Sequence, residues 1–363
     1  MTIRARAPHI LMRSSTKRTV GTQALSSESR AARVRHQDTP EVLLTLALAS
    51  VQEELEAVKA RILSKLTDPI AKTVIYLITA GGKRLRPALV LLAGAAGPTP
   101  QREALIDTAT AVELIHTATL IHDDIIDQSP LRRAQPTFHK RWGTERAVLM
   151  GDYLYATAFT LLARLEQPAV TQVMADVCQQ LCRGELLEVE ARYRLDLSEA
   201  EYFAIIRDKT GSLIAGCCQS GALLGGCASE TVKRLGEFGM NFGLAFQIID
   251  DCLDWSGDER QLGKSVLADL DKGALSLPII YLTQLLSPGA CRTLFAPLKK
   301  RANDPAFLAR VAKAAQETGA IAKAQERAAQ LIQEAQRALE PLPLNGGLET
   351  YRQLAAYALA RRG

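Results

Sequence analysis

Two short acidic runs carry the chemistry this sequence could perform. Leu120-Ile121-His122-Asp123-Asp124-Ile125-Ile126-Asp127 sets three carboxylates within five residues, and Phe246-Gln247-Ile248-Ile249-Asp250-Asp251-Cys252-Leu253-Asp254 repeats the pattern in the other half of the chain. On a helix, Asp123 and Asp127 would share one face, and so would Asp250 and Asp254. Like charges so placed repel, and apolar surroundings worsen the repulsion unless a cation compensates. One such run alone is more often a solvated helix face. Two of them, each with cations nearby, suggest paired metal-binding ladders. Hard carboxylates without Cys ligand pairs suit Mg²⁺ better than zinc.

Basic residues accompany both runs. Gly81-Gly82-Lys83-Arg84-Leu85-Arg86-Pro87 places three cations beside two glycines, just ahead of a stretch that Pro87 and Ala88–Ala96 mark as helical. Side-chain charge and free helix N–H groups together favour an anion there. Arg132-Arg133 follows the first run after the Ser129-Pro130 break, and a guanidinium is well shaped for phosphate oxygens. Lys209-Thr210 and the Gly263-Lys264 pair add further cations. His116 lies two helical turns before Asp123, about 10 Å along nearly the same face. A solvated loop, a neutralising ion pair or a core histidine would each explain one of these features alone. Taken together they suggest a diphosphate held by metal and basic side chains.

The elements that must position these groups read as helices. Leu43, Leu46, Ala47, Val51, Leu55 and Val58 recur at helical spacing, strand-like alternation is scarce, and Gly97-Pro98 and Ser287-Pro288-Gly289 punctuate at helix-length intervals. The expected fold is all-α over residues 41–363, with no internal linker. Gly184-Glu185-Leu186-Leu187-Glu188 reads as helix with surface acids, and the C-terminal third as plain structural helices. Residues 1–40 differ: the first 27 hold Arg4, Arg6, Arg13, Lys17 and Arg18 but no acid. That segment is expected to be either a disordered extension or a transit-type leader.

Composition narrows the class. The chain has 363 residues, 47% of them apolar and only 5% aromatic, so its core must be built from Leu, Ala, Val and Ile. A net charge of +5, with no long basic block in the body, argues against a nucleic-acid binder. Seven cysteines without a CxxC pair read as reduced thiols, which favours a cytoplasmic location, or an organelle matrix if the leader is a transit peptide. No uninterrupted apolar run reaches membrane-spanning length, so no transmembrane segment is expected. Abundant apolar residues beside the acidic runs point to a substrate that is a diphosphate with a hydrocarbon tail.

The run from Gly81 through Arg133 and the second run through Lys264 resemble the trans-isoprenyl diphosphate synthases, with the ending Leu354 to Arg362 also in character. The resemblance implies a single large all-α helical bundle around a central cavity, usually a homodimer, that condenses isopentenyl diphosphate head-to-tail with an allylic diphosphate. It implies Mg²⁺ on Asp123, Asp127, Asp250 and Asp254, and the allylic diphosphate on Arg132, Lys209, Thr210, Gln247 and Lys264. Isopentenyl diphosphate would sit on Lys83, Arg86, His116 and Arg133. Small Ala118 and Thr119, five and four residues before Asp123, imply a long product of about C30 to C50 by family analogy. Three positions depart from the family pattern. Ala134 and Leu267 replace usual glycines, and Gly273-Ala274-Leu275-Ser276-Leu277-Pro278 lacks the usual Lys at its second place, with Lys272 nearby. A partner-dependent or non-catalytic subunit is therefore an alternative. A class I terpene cyclase or a head-to-head synthase is another, but neither would be expected to carry the Gly81–Pro87 string.

Overall fold

Apolar residues at three- and four-residue spacings, interrupted by Gly and Pro, fold into helices through most of the described residues. The structure, a computed structural model, describes residues 39–133, 135–256, 270, 272–298, 305–342 and 347–361. The basic leader as far as residue 38, together with Ala134, Lys264 and Leu267, lies outside the described residues. The helices are α1 (Pro40–Leu48), α2 (Gln52–Lys65), α3 (Ile75–Thr79), α4 (Leu85–Ala95), α5 (Arg102–Ile126), α6 (Phe138–Trp142), α7 (Thr144–Ala163) and α8 (Pro168–Ala191). They continue as α9 (Glu199–Ile206), α10 (Ser212–Leu224), α11 (Ser229–Ser256), α12 (Leu277–Leu285), α13 (Pro288–Phe295), α14 (Pro305–Glu317), α15 (Ala320–Leu339) and α16 (Gly347–Ala360). The all-α architecture expected from the sequence is present.

Helices α5 and α10 form the inside of the bundle. Leu105, Ala109, Val112, Ile115, Ala118 and Ile121 of α5 are buried, as is nearly every residue of α10. By length and composition α5 is apolar enough to cross a bilayer, and 72% of its most apolar window is buried inside the fold. Small residues bring α10 close to α4: a Cβ on Gly221 would stand 2.2 Å from the Val90 carbonyl oxygen. The outer layer places α7 against α5, α8 against α10, and α11 between α10 and α15.

Three local features depart from the regular helices the sequence predicts. A 3₁₀ turn at Ala49–Val51 breaks the first amphipathic run, so Leu43, Ala47 and Val51 are buried while Leu46 faces outward. A small antiparallel hairpin, β1 (Leu131–Arg132) with β2 (Gln135–Pro136), follows the Ser129-Pro130 break, with Leu131 opposite Pro136 and Arg132 opposite Gln135. Between α9 and α10 the chain makes a π-helical turn, Arg207–Gly211, which widens the helix where Lys209 and Thr210 sit. Buried Asp208 anchors that turn through Arg183, with contacts of 2.6 and 3.0 Å.

The α4–α10 approach leaves no room for an added methyl. Gly221→Ala should cost about 1–3 kcal/mol by overpacking, read as a lower urea midpoint at unchanged slope. An unchanged midpoint would show that the two helices separate freely.

Candidate functional site

The two acidic runs end on opposite walls of one cavity. The first occupies the last turns of α5, where the Asp127 N–H still donates to the Asp123 carbonyl at 2.8 Å. The second lies wholly within α11. A cavity of 610 Å³ is lined by Asp123 and Asp250, with Lys209, Thr210 and Gln247 between them and Arg86, His116 and Arg132 at its polar end. Leu120, Ile126, Tyr155, Leu181 and Leu186 form its apolar side. A second chamber of 260 Å³ shares Arg132, Lys209, Thr210 and Gln247 with the first and adds Asp127 and Asp251.

Protein cations balance the carboxylates of the first run. Arg132 holds buried Asp124 with contacts of 2.8 to 3.0 Å. Asp127, the C-cap of α5, takes Arg192 at 2.7 Å and Lys272 at 3.3 Å. Lys209 lies 2.6 Å from Glu185 and also pairs with Glu188. Burial pushes the Asp123 carboxyl up to about 7; Lys209 opposes the shift and Glu185 reinforces it. Burial alone would lower the Lys209 ammonium, yet Glu188, Asp123 and Glu185 outweigh it and hold the group firmly charged. Glu188 is raised mainly by burial, against the pull of Lys209.

On the opposite wall a hydrogen-bond chain fixes the second run. The Thr210 hydroxyl donates to Gln247 Oε1 at 2.8 Å, Gln247 Nε2 donates to Asp251 Oδ1 at 2.9 Å, and the Tyr202 hydroxyl donates to Asp251 Oδ2 at 2.6 Å. Arg361, just past α16, reaches Asp250 and stacks 4.1 Å from the Phe246 ring centre. Asp250 is raised by burial, against Arg361, Lys83 and Arg86. Asp254, one turn further along α11, lines neither chamber.

The glycine-led basic string turns tightly into α4. Gly81 and Gly82 adopt φ of 96° and 150°, and the Arg133 guanidinium folds over Gly82 onto the Gly81 carbonyl. Arg84 turns inward to Glu113 and the Ile78 carbonyl, a structural use of that cation. Arg86 donates to His116 Nε2 at 3.2 Å. Burial, then the nearby arginines, push the His116 imidazolium well below its usual range. The ring is neutral, and with Nε2 accepting from Arg86 its proton belongs on Nδ1. Lys83 stands 5.1 Å over the Tyr357 ring, near the cavity but not on its wall.

Helical phase decides which small residue faces the substrate space. His116, Thr119, Asp123 and Ile126 share the cavity side of α5, whereas Ala118 points into the core and is fully buried. Sequence reading passed over several residues that the fold gathers here. Glu185 and Glu188 were expected at the surface; instead Glu188 follows Val177, Leu181 and Gly184 on the packed face of α8. That phase was the available signal. Arg192, Tyr202 and Arg361 gave no local signal, since distant packing brings them in.

Among the described residues, no three His, Cys, Asp or Glu side chains converge into a ready-made ion cage. Asp123, Asp127 and Asp250 instead offer carboxylates singly around the two chambers. This donor set fits a hard divalent cation that brings water and ligand phosphate with it, as Mg²⁺ does.

Comparison with known proteins is consistent with this geometry. The family described as polyprenyl synthetase matches residues 67–315. Heptaprenyl diphosphate synthase component 2 of Geobacillus stearothermophilus is 39% identical over 310 residues, covering 85% of this chain and 94% of the relative. Octaprenyl diphosphate synthase of Escherichia coli is 32% identical over 312 residues, covering 85% and 96%. A polyprenyl synthase from Caulobacter crescentus CB15, crystallised with calcium and isoprenyl diphosphate, superposes with a TM-score of 0.84 at 31% identity, covering 88% of this chain and 98% of that one.

The raised Asp123 carboxyl has a measurable consequence. Its folded value, about 7, lies above the unfolded range, so the native state holds the extra proton between about pH 4 and 7 and loses stability as pH rises through that window. Asp123→Asn removes this loss. Its stability relative to wild type should rise by on the order of 2–4 kcal/mol between pH 5 and pH 8 in metal-free buffer, by urea unfolding. A pH-independent difference would contradict the buried-charge account.

Proposed function

Since this chain belongs to the polyprenyl synthetase family and is a prenyltransferase, we propose that it carries out Mg²⁺-dependent head-to-tail condensation of isopentenyl diphosphate with an allylic diphosphate. The product is an all-trans polyprenyl diphosphate of long chain, about C30–C50 by analogy with its relatives. One observation carries the reading: Asp123 and Asp250 face a single cavity whose other side is hydrocarbon.

Asp123, Asp127 and Asp250 would hold Mg²⁺, which supplies positive charge to the leaving diphosphate. Lys209, Arg132, Thr210 and Gln247 are placed to bind the same diphosphate as its negative charge grows, which lowers the barrier more than ground-state binding would. Lys264 is assigned to this group on resemblance, being outside the described residues. Breaking the allylic C–O bond leaves a carbocation, which Leu120 and Leu181 shield from water. The isopentenyl double bond attacks that carbon, the new C–C bond forms, and a proton passes to the released diphosphate. Arg86 and Arg133, with Lys83, are assigned to the isopentenyl diphosphate on resemblance; Arg86 lines the cavity beside His116. Neutral His116 orients Arg86 without adding charge.

The assembly proposed is a homodimer. Leu149 and Tyr153 of α7 and Leu186 of α8 are exposed apolar side chains on neighbouring helices, suited to a second copy. A second reading, dependence on an unlike subunit, is favoured by the relative named component 2.

Incubating the purified chain alone with Mg²⁺, isopentenyl diphosphate and farnesyl diphosphate should give elongated diphosphates. Hydrocarbon products would indicate a cyclase or head-to-head enzyme, and no turnover would favour the partner-dependent reading. Lys209→Met should lower kcat by about 10²–10³-fold. Thr119→Phe, which puts a ring into the cavity, should shorten the chromatographed products, whereas Ala118→Phe should mainly destabilise by about 1–3 kcal/mol. Unchanged product length in Thr119→Phe would remove this face of α5 from the product path.

A further inference from the structure

The smaller chamber holds two cations, Arg192 and Lys272, that the reaction as described leaves unused. Three carboxylates line it, Asp127, Glu188 and Asp251, against four cations, Arg132, Arg192, Lys209 and Lys272. Arg132 is engaged by Asp124, and Lys209 sits between Glu185 and Glu188. The other two cations share a single acceptor: Arg192 Nη2 is 2.7 Å from Asp127 Oδ1, and Lys272 Nζ is 3.3 Å from Asp127 Oδ2. Lys272 also donates to Ser129 Oγ at 2.8 Å.

The geometry of Arg192 points to an anion. Its Nε–H is buried and has no acceptor among the described residues, although its Nη2 is engaged. Guanidinium donors form a rigid planar fork, so an open Nε–H beside an Nη is half of a bidentate oxyanion site. The wall opposite, Ala274, Leu275 and Ser276, contributes no charge of its own.

We propose that Arg192, supported by Lys272, is a diphosphate-binding residue of the allylic subsite. It pairs with Asp127, and it offers its Nε–Nη edge to a phosphate oxygen once that carboxylate binds a divalent ion. The assignment of the anion to the allylic substrate rests on the prenyl-transfer reading. Diphosphate binding itself does not.

The test measures both. Calorimetry gives the Kd of inorganic diphosphate with Mg²⁺ for wild type, Arg192→Ala and Arg192→Lys, and steady-state kinetics gives KM for farnesyl and isopentenyl diphosphates separately. Arg192→Ala should weaken inorganic diphosphate and raise the farnesyl diphosphate KM by about 10- to 100-fold, with the isopentenyl KM within about twofold. Arg192→Lys should recover only part of the loss, because it keeps the charge but not the fork. An unchanged diphosphate Kd in a folded Arg192→Ala protein overturns the proposal, and so does an equal rise in both KM values. Should Arg192→Ala lose its melting transition, Arg192→Gln provides the same comparison. If wild type makes no elongated product while Arg192→Ala still weakens inorganic diphosphate, prenyl transfer falls and the anion site stands.

Discussion

Mutual repulsion among buried carboxylates is the constraint on which this structure depends. Asp123, Asp127, Glu185, Glu188, Asp250 and Asp251 surround two connected chambers. Without compensation, that much negative charge in a water-poor interior would be prohibitively costly. The fold answers with cations drawn from distant parts of the chain: Lys209 from the π turn, Arg192 from the end of α8, Lys272 from beyond α11 and Arg361 from the C-terminal end of α16. The same charge is what makes the site useful. Carboxylates held by movable side-chain cations can exchange them for a divalent metal and a diphosphate.

The scaffold supplies rigidity where exchange demands it. Helices α5 and α11 present the acids, and buried α10 packs against both. The π turn departs from regular helix at the position that places Lys209 and Thr210 between the walls. Asp251 receives both Gln247 and Tyr202, so the second wall is tied down by neutral donors. Cations that may be exchanged thus sit beside hydrogen bonds that need not be.

Much of this was legible in the sequence because it is local. Spacing alone placed Asp123 and Asp127 on one helical face, and Gly81-Gly82 marked the tight entry to α4, where both glycines adopt positive φ. Helical phase also held information that was not used: Thr119, not Ala118, falls on the side of His116 and Asp123. Glu188 reads as a surface acid by residue type but lies in register with Leu181 and Gly184. Arg361 and Arg192 could not be read this way. Their partners are 111 and 65 residues away, and only packing reveals them. Hairpin β1–β2 was missed for a related reason, since a two-residue strand leaves no periodicity to detect.

If carboxylate repulsion is relieved by metal and diphosphate together, the two ligands must bind as a linked pair. Calorimetric titration of the protein with Mg²⁺, with and without an unreactive thio analogue of farnesyl diphosphate, measures that linkage directly. The account predicts that the analogue tightens Mg²⁺ binding by about tenfold or more. Equal Mg²⁺ affinity with and without the analogue would contradict it.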